Sequence, residues 1–519
     1  MKKLHIFIVT GIFMGISLFC FAEVNETLPT HHWAYNYIDA LQDRGYLLEL
    51  NTLQLPYTRG EIARQLVKEE SGKENWSLFV KEIFHELLAE FSQEINVLNS
   101  EQDKESLLLR GKYEGYIDNT QEDKTVYRGI YRGGIGAQVG KHVFAYSGFN
   151  FDQYDYHDPL YTGYKWRGLA GYTEQAYVRF KMHHFDIVFG RDFLQWGAGQ
   201  SGTLIMSNIT RPLDQLRARV SFGPFDYMFI ASELNRMSGL DSNDVSITVR
   251  RYLSGHRLGV SFFNGRLRVA VSELIIYGGQ DEYFNTVYLN PVIFYHGAKK
   301  NGAGNNNVLP TIDIKGYPKK NIQIYGSLLL DDIQVEKTVP GDLEPNEIGV
   351  IIGTKWSDPF ELNGLTVSGE YVKITNRTYK TPHFEEVFLH RNQSLGHPLG
   401  NDFDLIQAGV SKWFGADLWV GVQYEHVRKG EGSLYTPWDA PWKDKTLKEG
   451  YSEPFPTGVV EKRDHIRLEF RYQPGIHWGI QGEVVSSSYG NYQHVAGAEE
   501  SFFEWRVGVW WDGEVFLMW

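Results

Sequence analysis

Apolar and polar residues alternate with period two along most of the chain. From Phe503 to Trp519 every odd position is apolar apart from Gly513, and the charged residues fall on even positions. The same alternation occurs over residues 107–117, 175–182 and 465–472. Side chains alternate between two faces in a strand but not in a helix. The pattern therefore predicts that residues 106–519 form β-sheet.

Two architectures accommodate such strands. In a soluble sandwich the apolar faces point into a core, whereas in a membrane barrel they point to lipid and the charged faces line the lumen. Charge at every second position over many strands favours the barrel. Residues 107–519 number 413, and roughly 9–11 residues per spanning strand leave room for about 16–20 strands. We expect about 18 antiparallel strands, with long loops near residues 152–174, 297–307, 376–404 and 428–462.

The C-terminus adds to this prediction. Trp519 ends the chain, and apolar residues stand two and four positions before it, at Leu517 and Val515. This arrangement resembles the closing strand of bacterial outer-membrane barrels. In those proteins the terminal aromatic residue is also an insertion signal, and the resemblance implies the same for Trp519.

The first 22 residues read as a secretory signal peptide. A basic start, Lys2-Lys3, precedes an apolar run that ends at Ala22, which is the expected order of segments. A membrane anchor is a weaker interpretation, because the run is short and a polar segment follows it. Cleavage after Ala22 would remove Cys20, the one cysteine. No disulfide, thiol nucleophile or cysteine metal site would then remain.

Residues 23–105 have helical spacing instead. Apolar residues recur from Trp33 to Leu41 at intervals of three and four, and Thr58 with Glu61 fits a capping box. A third helix is predicted over residues 74–98. These helices would form a small periplasmic region in which the apolar stripes pack together. Binding to a membrane surface is less favoured, because the polar face is not basic.

Part of this helical region resembles another family. His32-Trp33-Ala34-Tyr35, Gly45 and the run from Pro56 to Ala63 resemble a single S-layer-homology module. Such modules bind cell-wall polymer, usually as several copies, and one copy is visible here. We prefer a periplasmic plug or cap, and keep contact of residues 23–105 with periplasmic or cell-wall material as an alternative.

Composition narrows the function. Aromatic residues make up 15% of the chain, which suits the aromatic girdles of a membrane barrel. A mean hydropathy of −0.35 excludes a bundle of membrane helices but not a barrel with a polar inward face. The formal net charge is −13 without a dominant basic patch, so a nucleic-acid partner is not expected.

Enzyme signatures are weak. The Gly-x-Ser-x-Gly, His-Glu-x-x-His and phosphate-binding glycine motifs are missing. Asp331 and Asp332 suit a hard cation chemically, but neighbours on a strand point to opposite faces and cannot chelate side by side. Ser394 and His397 are close in sequence, which is thin support for a triad. We predict no catalytic residue, metal or cofactor, and keep a hydrolase using Asp331, Asp332 or His397 as a hypothesis.

Three separated blocks carry a resemblance over nearly all of residues 107–519. They are Gly190–Asn208, Asn290–Asp332 and Leu395–Asp402. In their order along the chain and in their amino-acid sequence they resemble the capsule assembly Wzi family. The resemblance implies an outer-membrane barrel of about eighteen strands with periplasmic helices. It also implies a lectin-like, non-enzymatic protein that retains exported capsular polysaccharide at the cell surface.

The residues themselves also suit glycan binding. Trp and Tyr stack on the apolar faces of sugars, and Asp, Asn and Arg hydrogen-bond to hydroxyl groups. In the alternative reading, the Trp residues belong to interfacial girdles and the Asp residues to a salt network in the lumen. The candidate glycan-binding residues are Arg191, Asp192, Trp196, Asp313, Asp332, Tyr435, Trp438 and Trp442.

These arguments predict an outer-membrane barrel that binds capsular or other surface polysaccharide and helps to assemble or retain it. Its other contacts would be outer-membrane lipid and lipopolysaccharide. A porin or substrate-specific channel is the alternative, because charge on the inward face also suits a conducting pore. The predicted organisation is a signal peptide (1–22), a helical periplasmic region (23–105) and a barrel (106–519).

Overall fold

The structure is a computed structural model of the 519-residue chain. It describes residues 24–70, 72, 76–99, 105–119, 125–159, 161–207, 211–240, 245–301, 306–336 and 338–518, with the backbone alone for 516–518. The predicted signal peptide and the terminal Trp519 lie outside the described residues.

Eighteen long antiparallel strands form one closed barrel, as predicted. They are β1 (Ser106–Asp118), β2 (Val126–Val139), β3 (Val143–Asp152), β4 (Leu169–Met182), β5 (Phe185–Asp192), β6 (Leu213–Phe222), β7 (Phe225–Leu240), β8 (Ser246–Phe262), β9 (Leu267–Gly279), β10 (Asn307–Lys319), β11 (Ile322–Asp332), β12 (Glu347–Ser357), β13 (Leu365–Ile374), β14 (Phe403–Phe414), β15 (Leu418–Lys429), β16 (Glu461–Tyr472), β17 (Trp478–Gly490) and β18 (Glu499–Met518). β1 closes the barrel on β18, from Ser106↔Met518 to Asp118↔Arg506. Closure pairs the backbone of each wall strand on both sides, which lipid-facing backbone requires.

The wall has the two faces that the alternation predicts. Phe180, Leu468 and Val507 face outward and are 39%, 46% and 43% exposed. Arg179 faces inward, is 3% exposed, and donates to the backbone carbonyl of Asn25. Further exposed apolar side chains on the outer face include Phe189, Phe222, Leu258, Ile312, Ile352, Val410, Val422, Val509 and Trp511. In a membrane barrel such a band contacts hydrocarbon.

The two ends of the barrel differ in their connections. At the turn end, eight connections have two to seven residues, and both ends of the wall, Ser106 and Met518, lie there. At the loop end, six of the nine connections have fourteen residues or more. The long loops predicted near 152–174, 297–307, 376–404 and 428–462 all fall at this end. In outer-membrane barrels the short turns face the periplasm.

The described residues contain six α-helices, and none of them is long and apolar enough to cross a membrane. Four precede the barrel and two lie in loops: α1 (Ala34–Gln42), α2 (Arg59–Glu70), α3 (Leu78–Glu90), α4 (Ser92–Asn99), α5 (Gln153–His157) and α6 (Tyr295–Lys300). The predicted capping box is present. The Thr58 N–H donates to Glu61 Oε2 at 2.8 Å, and the Glu61 N–H donates to Thr58 Oγ1 at 3.1 Å.

The single helix predicted over residues 74–98 is wrong, because the chain bends at Phe91 between α3 and α4. The bend surrounds the buried Arg59 of α2, whose guanidinium lies 4.8 Å from the centre of the Phe91 ring. Arg59 also pairs with Glu90 on one side of the bend and with Glu94 on the other. The two carboxylates are four residues apart and face the same cation. The spacing of the apolar residues does not show that a buried cation lies against this segment.

Helices α1–α4 pack together and close the turn end. Tyr37 donates its hydroxyl proton to the carbonyl of Ala416, in the turn between β14 and β15, at 2.9 Å. Arg44 makes a two-pronged pair with Asp358, in the turn between β12 and β13. The helical region therefore caps the barrel, as one of the two interpretations predicted. Its resemblance to an S-layer-homology module stays a prediction.

The residues before α1 enter the lumen. The Thr27 N–H donates to the Tyr177 hydroxyl at 2.9 Å, and the Thr27 hydroxyl donates to Asp192 at 3.1 Å. Glu26 pairs with Arg110 of β1. These contacts attach the N-terminal segment to β1, β4 and β5, so the helical region and the wall form one structure.

Two long connections fold back into the barrel from the loop end. We call residues 193–207 and 375–402 the plug loops. Among their apolar side chains, Trp196, Leu204 and Phe388 are 0–1% exposed. They pack against inward-facing apolar residues of β7–β14, among them Ile230, Leu253, Leu274, Leu309, Leu329, Ile351, Val372 and Leu405. A charged, water-filled interior was expected all round, and this expectation is wrong for the loop-end half of β7–β14.

The buried Glu370 of β13 attaches the first plug loop to the wall. Its carboxylate accepts the backbone N–H groups of Gln200 and Ser201 at 2.6 and 2.9 Å, and the Tyr325 hydroxyl at 2.8 Å. It also accepts the Ser201 hydroxyl at 2.5 Å. One carboxylate therefore satisfies four donors that have left water. Hydrogen bonds to a charged group contribute about 1.5–3 kcal/mol each.

Glu370→Gln should release this loop, because an amide replaces one acceptor oxygen with a donor that faces N–H groups. We expect higher ion conductance than the unsubstituted barrel in planar bilayers, and faster protease cleavage within residues 193–207. Glu469→Gln is the matched control, because Glu469 of β16 contacts Arg467 and Arg471 rather than a plug loop. Equal conductance and protease resistance in the two variants would contradict the anchoring role.

Candidate functional site

Three of the predicted glycan-binding residues lie inside the plugged lumen. Asp192 is fully buried and accepts hydrogen bonds from Arg217, Gln175 and Thr27 at 2.7, 2.9 and 3.1 Å. Trp196 is also fully buried, within the apolar cluster of the plug. Both side chains are enclosed by protein, which gives them a structural role in this conformation.

Asp313 is the third enclosed residue and is 1% exposed. Its carboxylate accepts hydrogen bonds from Arg257 at 2.7 Å and from the Ser327 hydroxyl at 2.5 Å. Arg257 also donates to the Leu53 carbonyl of the helical region. Asp313 therefore belongs to a salt network in the lumen, which was the alternative interpretation.

The other candidates lie at the loop end. Arg191 of β5 makes a two-pronged pair with the exposed Asp214 of β6. Asp332 is exposed at the end of β11. Tyr435 is 60% exposed and donates its hydroxyl to the Asn392 carbonyl of the second plug loop at 2.6 Å. The structure does not gather these three side chains into one pocket.

Trp438 and Trp442 pack around Arg377, which lies just after β13. The guanidinium carbon is 5.0 Å from the Trp438 ring centre and 4.3 Å from that of Trp442. Arg377 also donates to Glu453 at 2.9 Å and to the Asp439 carbonyl at 2.6 Å. Trp442 is 1% exposed and Trp438 is half-buried. The cation thus fixes the fold of the loop over residues 430–460.

A cleft opens beside this loop. It has a volume of about 310 Å³ and lies between residues 334–346, the end of β13 and residues 451–455. Tyr451 and Phe455 supply aromatic surface, and Asn346 and Asn376 supply amides. The ammonium of Lys373 lies 4.2 Å from the Phe455 ring centre. Aromatic faces beside amide and charged groups are the surface that sugars require.

Two acids contribute to the cleft, Glu344 and Glu453. Burial raises the pKa of Glu344, and the neighbouring Asp332 raises it further. Burial also raises the pKa of Glu453, although the charge of Arg377 opposes this shift. Carboxyl oxygens accept hydrogen bonds, which suits a ligand rich in hydroxyl groups.

The sequence interpretation missed several residues of this cleft. Tyr451 and Phe455 stand out as aromatic residues in a long polar loop, so their composition was a usable signal. Lys373 and Arg377 gave none, because one falls in the alternating pattern of β13 and the other in a short polar turn. Glu344 lies more than 100 residues before Glu453, and the fold alone brings them to one cleft.

His397 lies beside Ser201 with its Nε2 atom 3.1 Å from the hydroxyl oxygen. The hydrogen positions nevertheless oppose a nucleophilic pair. The Leu399 N–H donates to His397 Nδ1, so the proton of the neutral ring is on Nε2. The Ser201 hydroxyl donates to Glu370 instead. His397 therefore donates to Ser201 and cannot accept its proton.

One group in the described residues brings potential metal ligands within 4.8 Å of one another: His383, Glu385 and Glu386. It lies in the second plug loop. Burial raises the pKa of Glu386 to about 7. At neutral pH the Glu386 carboxyl group is therefore protonated in about half of the molecules. A protonated carboxyl is a poor ligand for a hard cation. The geometry permits a cation, but the acid chemistry opposes it.

The closed wall, the apolar outer band and the in-folded loops define a transmembrane β-barrel of the outer-membrane type. The family model of the capsule assembly protein Wzi matches residues 109–501. Since this match spans most of the chain, the protein belongs to the capsule assembly Wzi family.

A solved barrel supports the fold. Wzi of Escherichia coli, described as an outer membrane protein involved in group 1 capsule assembly and as a carbohydrate-binding β-barrel, has a TM-score of 0.61 at 14% identity; the match covers 93% of this chain and 98% of that one. OccD3 (OpdP) of Pseudomonas aeruginosa has a TM-score of 0.45 at 8% identity, covering 79% and 91%. OprD of the same organism has a TM-score of 0.44 at 10% identity, covering 80% and 96%. No curated protein matches the chain.

Arg377→Ala should unfold the 430–460 loop while the barrel stays closed. Removing one partner from a buried ion pair typically costs about 3–5 kcal/mol, and Arg377 also packs on two indole rings. We expect protease cleavage in this loop with unchanged heat-modifiable migration of the barrel in gels. Lys448→Ala, at an exposed position of the same loop, is the control. Protease resistance in both variants would contradict the prediction.

His397 gives the plug a pH dependence. Burial, with a smaller effect from the charge of Lys429, lowers the pKa of His397 to about 3, whereas an unfolded His titrates near 6.5. Between these values the unfolded chain binds more protons than the folded chain. The free energy of unfolding should therefore decrease as the pH is lowered below 6.5, by up to about 1.4 kcal/mol per pH unit.

Urea unfolding at pH 7, 5.5 and 4.5 measures the contribution of His397 to the free energy of unfolding. The contribution is the difference between the unsubstituted protein and His397→Asn. The variant should be less stable at pH 7 and should lose less stability on acidification. Parallel pH profiles for the two proteins would show that His397 is not the titrating group.

Proposed function

We propose that this protein binds capsular or other surface polysaccharide at the loop end of the barrel and helps to assemble or retain it there. The observation that carries the proposal is the cleft beside residues 430–460, where Tyr451 and Phe455 stand next to Lys373, Glu344 and Glu453. Membership of the Wzi family and the carbohydrate binding described for the E. coli barrel support it.

The proposed action is binding without catalysis. In the described residues, the serine–histidine contact has its protons placed for structure rather than for nucleophilic attack. A retention protein also gains from several weak contacts on one long polymer, since linked sites raise the overall affinity without any new chemistry. Exposed aromatic residues along the loop end, such as Tyr435, would add to the contacts in the cleft.

The porin alternative receives less support. The apolar contacts between the plug loops and β7–β14 occupy that side of the lumen at the loop end, and α1–α4 cover the turn end. We also propose that the outer band contacts lipid and lipopolysaccharide and that the helical region faces the periplasm. A high steady conductance of the unsubstituted barrel would favour the channel instead.

Replacing Tyr451 and Phe455 together by Ala should release polysaccharide from cells without reducing its synthesis. Burying an aromatic side chain against a ligand contributes about 1.5–3 kcal/mol, so we expect at least a tenfold loss of affinity. Cell-bound and released polysaccharide are measured in a deletion strain that carries each variant. The control is Phe360→Ala, an 82% exposed aromatic at the turn end. Unchanged retention with the double variant would contradict the cleft assignment.

A further inference from the structure

A cluster of arginines lies at the loop end, away from the cleft. It combines Arg191 at the end of β5, Arg211 just before β6, and Arg391 in the second plug loop. We call these three residues the arginine rim. Such a cluster is unexpected in a chain with a net charge of −13.

Asp214 is the carboxylate paired with the arginine rim. It takes two hydrogen bonds from Arg191, which also donates to the Thr173 carbonyl at 3.0 Å. Within the described part of the chain, Arg211 and Arg391 have no carboxylate within salt-bridge distance. The rim therefore carries an excess of positive charge.

Arg211 contacts two aromatic rings. Its guanidinium carbon is 4.0 Å from the centre of the Tyr161 ring and 4.7 Å from that of Tyr172. These cation–π contacts hold the guanidinium in place, and among the described residues its N–H groups have no hydrogen-bond acceptor. Tyr161 is itself oriented by donating its hydroxyl to the Gly171 carbonyl at 3.3 Å.

Arg391 sits at the tip of a short hairpin, in which Leu389–His390 pairs with Gln393–Ser394. Arg391 and Asn392 both have positive φ angles, 50° and 61°, as a tight hairpin turn requires. The Arg391 N–H donates to Asn235 of β7 at 2.7 Å. The tip is thereby fixed through its backbone, while the guanidinium of Arg391 has no role in holding it.

The charges of the rim act on one another. Burial lowers the pKa of Arg391, and the neighbouring Arg211 and Arg191 lower it further. His390 in the same hairpin has its pKa lowered to about 3 by burial first and then by Arg391, Arg251, Arg211 and Arg191. Like charges held close together are relieved by a bound anion.

We propose that the arginine rim binds a carboxylate group of an acidic sugar in the polysaccharide. The proposal rests on the proposed polysaccharide function and adds the class of sugar. Planar guanidinium groups match a carboxylate by paired hydrogen bonds, as Arg191 and Asp214 already do. Tyr435, which bonds to the same hairpin at Asn392, offers an aromatic face beside the rim.

The test uses the full-length barrel in detergent. The probe is surface polysaccharide extracted from cells that make the protein, before and after carbodiimide–borohydride reduction of its carboxyl groups. We expect the reduced polymer to bind about tenfold more weakly or worse, and salt to weaken binding of the native polymer. Arg211→Gln and Arg391→Gln should each lower affinity for the native polymer about tenfold, with little effect on the reduced one.

Arg428→Gln is the matched control, because this arginine of β15 lies nine strands from β6 and pairs with Asp404. It removes one positive charge and should leave the preference for native polymer unchanged. Heat-modifiable migration in gels verifies that each variant is folded. Melting curves of Arg391→Gln should match those of the unsubstituted protein, since its guanidinium anchors nothing in the described chain.

Different outcomes separate the two proposals. If the unsubstituted barrel binds native and reduced polymer equally well, the carboxylate site is wrong while polysaccharide binding stands. If it binds neither form, the polysaccharide function and the rim site both fall. If the rim variants lose bound lipopolysaccharide but keep the polymer preference, the arginines serve lipid phosphates and the inference is overturned.

Discussion

The structure depends on one constraint: backbone that folds into a barrel loses water and must find every hydrogen-bond partner inside. The plug loops meet it with buried charges as well as with short two-residue strands. Glu370 accepts the N–H groups of Gln200 and Ser201, and Arg251 donates to the carbonyls of Glu385, Val387 and Leu389. Each charged side chain replaces several water molecules as a hydrogen-bond partner. The loop segment that it contacts is thereby held in one conformation.

The apolar half of the interior follows from the same constraint. Side chains such as Leu253 and Leu329 face inward on β8 and β11, where a wet lumen would expose them. They are buried because Trp196 and Phe388 cover them. The fit is close: a Cβ on Gly202 would lie 2.5 Å from Pro398 of the other plug loop. Burial therefore joins the wall and both loops into one cluster.

The proposed binding surfaces lie outside this cluster. The interior fixes the second plug loop, which carries the hairpin of Arg391 outward, and Asp402 at its end accepts the backbone N–H groups of Gly432 and Thr457. Rigid interior packing thus positions exposed loops that would otherwise be free to move. This division between a packed interior and exposed loops explains why Asp192, Trp196 and Asp313 are enclosed although their residue types suit a sugar.

The sequence alone determined the barrel, because successive strands alternate apolar and charged residues. Once lipid surrounds the barrel, the apolar face must point outward and the charged face inward. It also determined the N-terminal helices, the capping box of Thr58 with Glu61, and which connections are long. Tertiary structure decided the rest. The break at Phe91 lies against a cation from α2, and no local pattern reveals that residues 193–207 fold inward. The cleft joins Glu344 to Glu453, and the arginine rim joins Arg191 to Arg391, because closing a barrel makes neighbours of residues that are far apart in the chain.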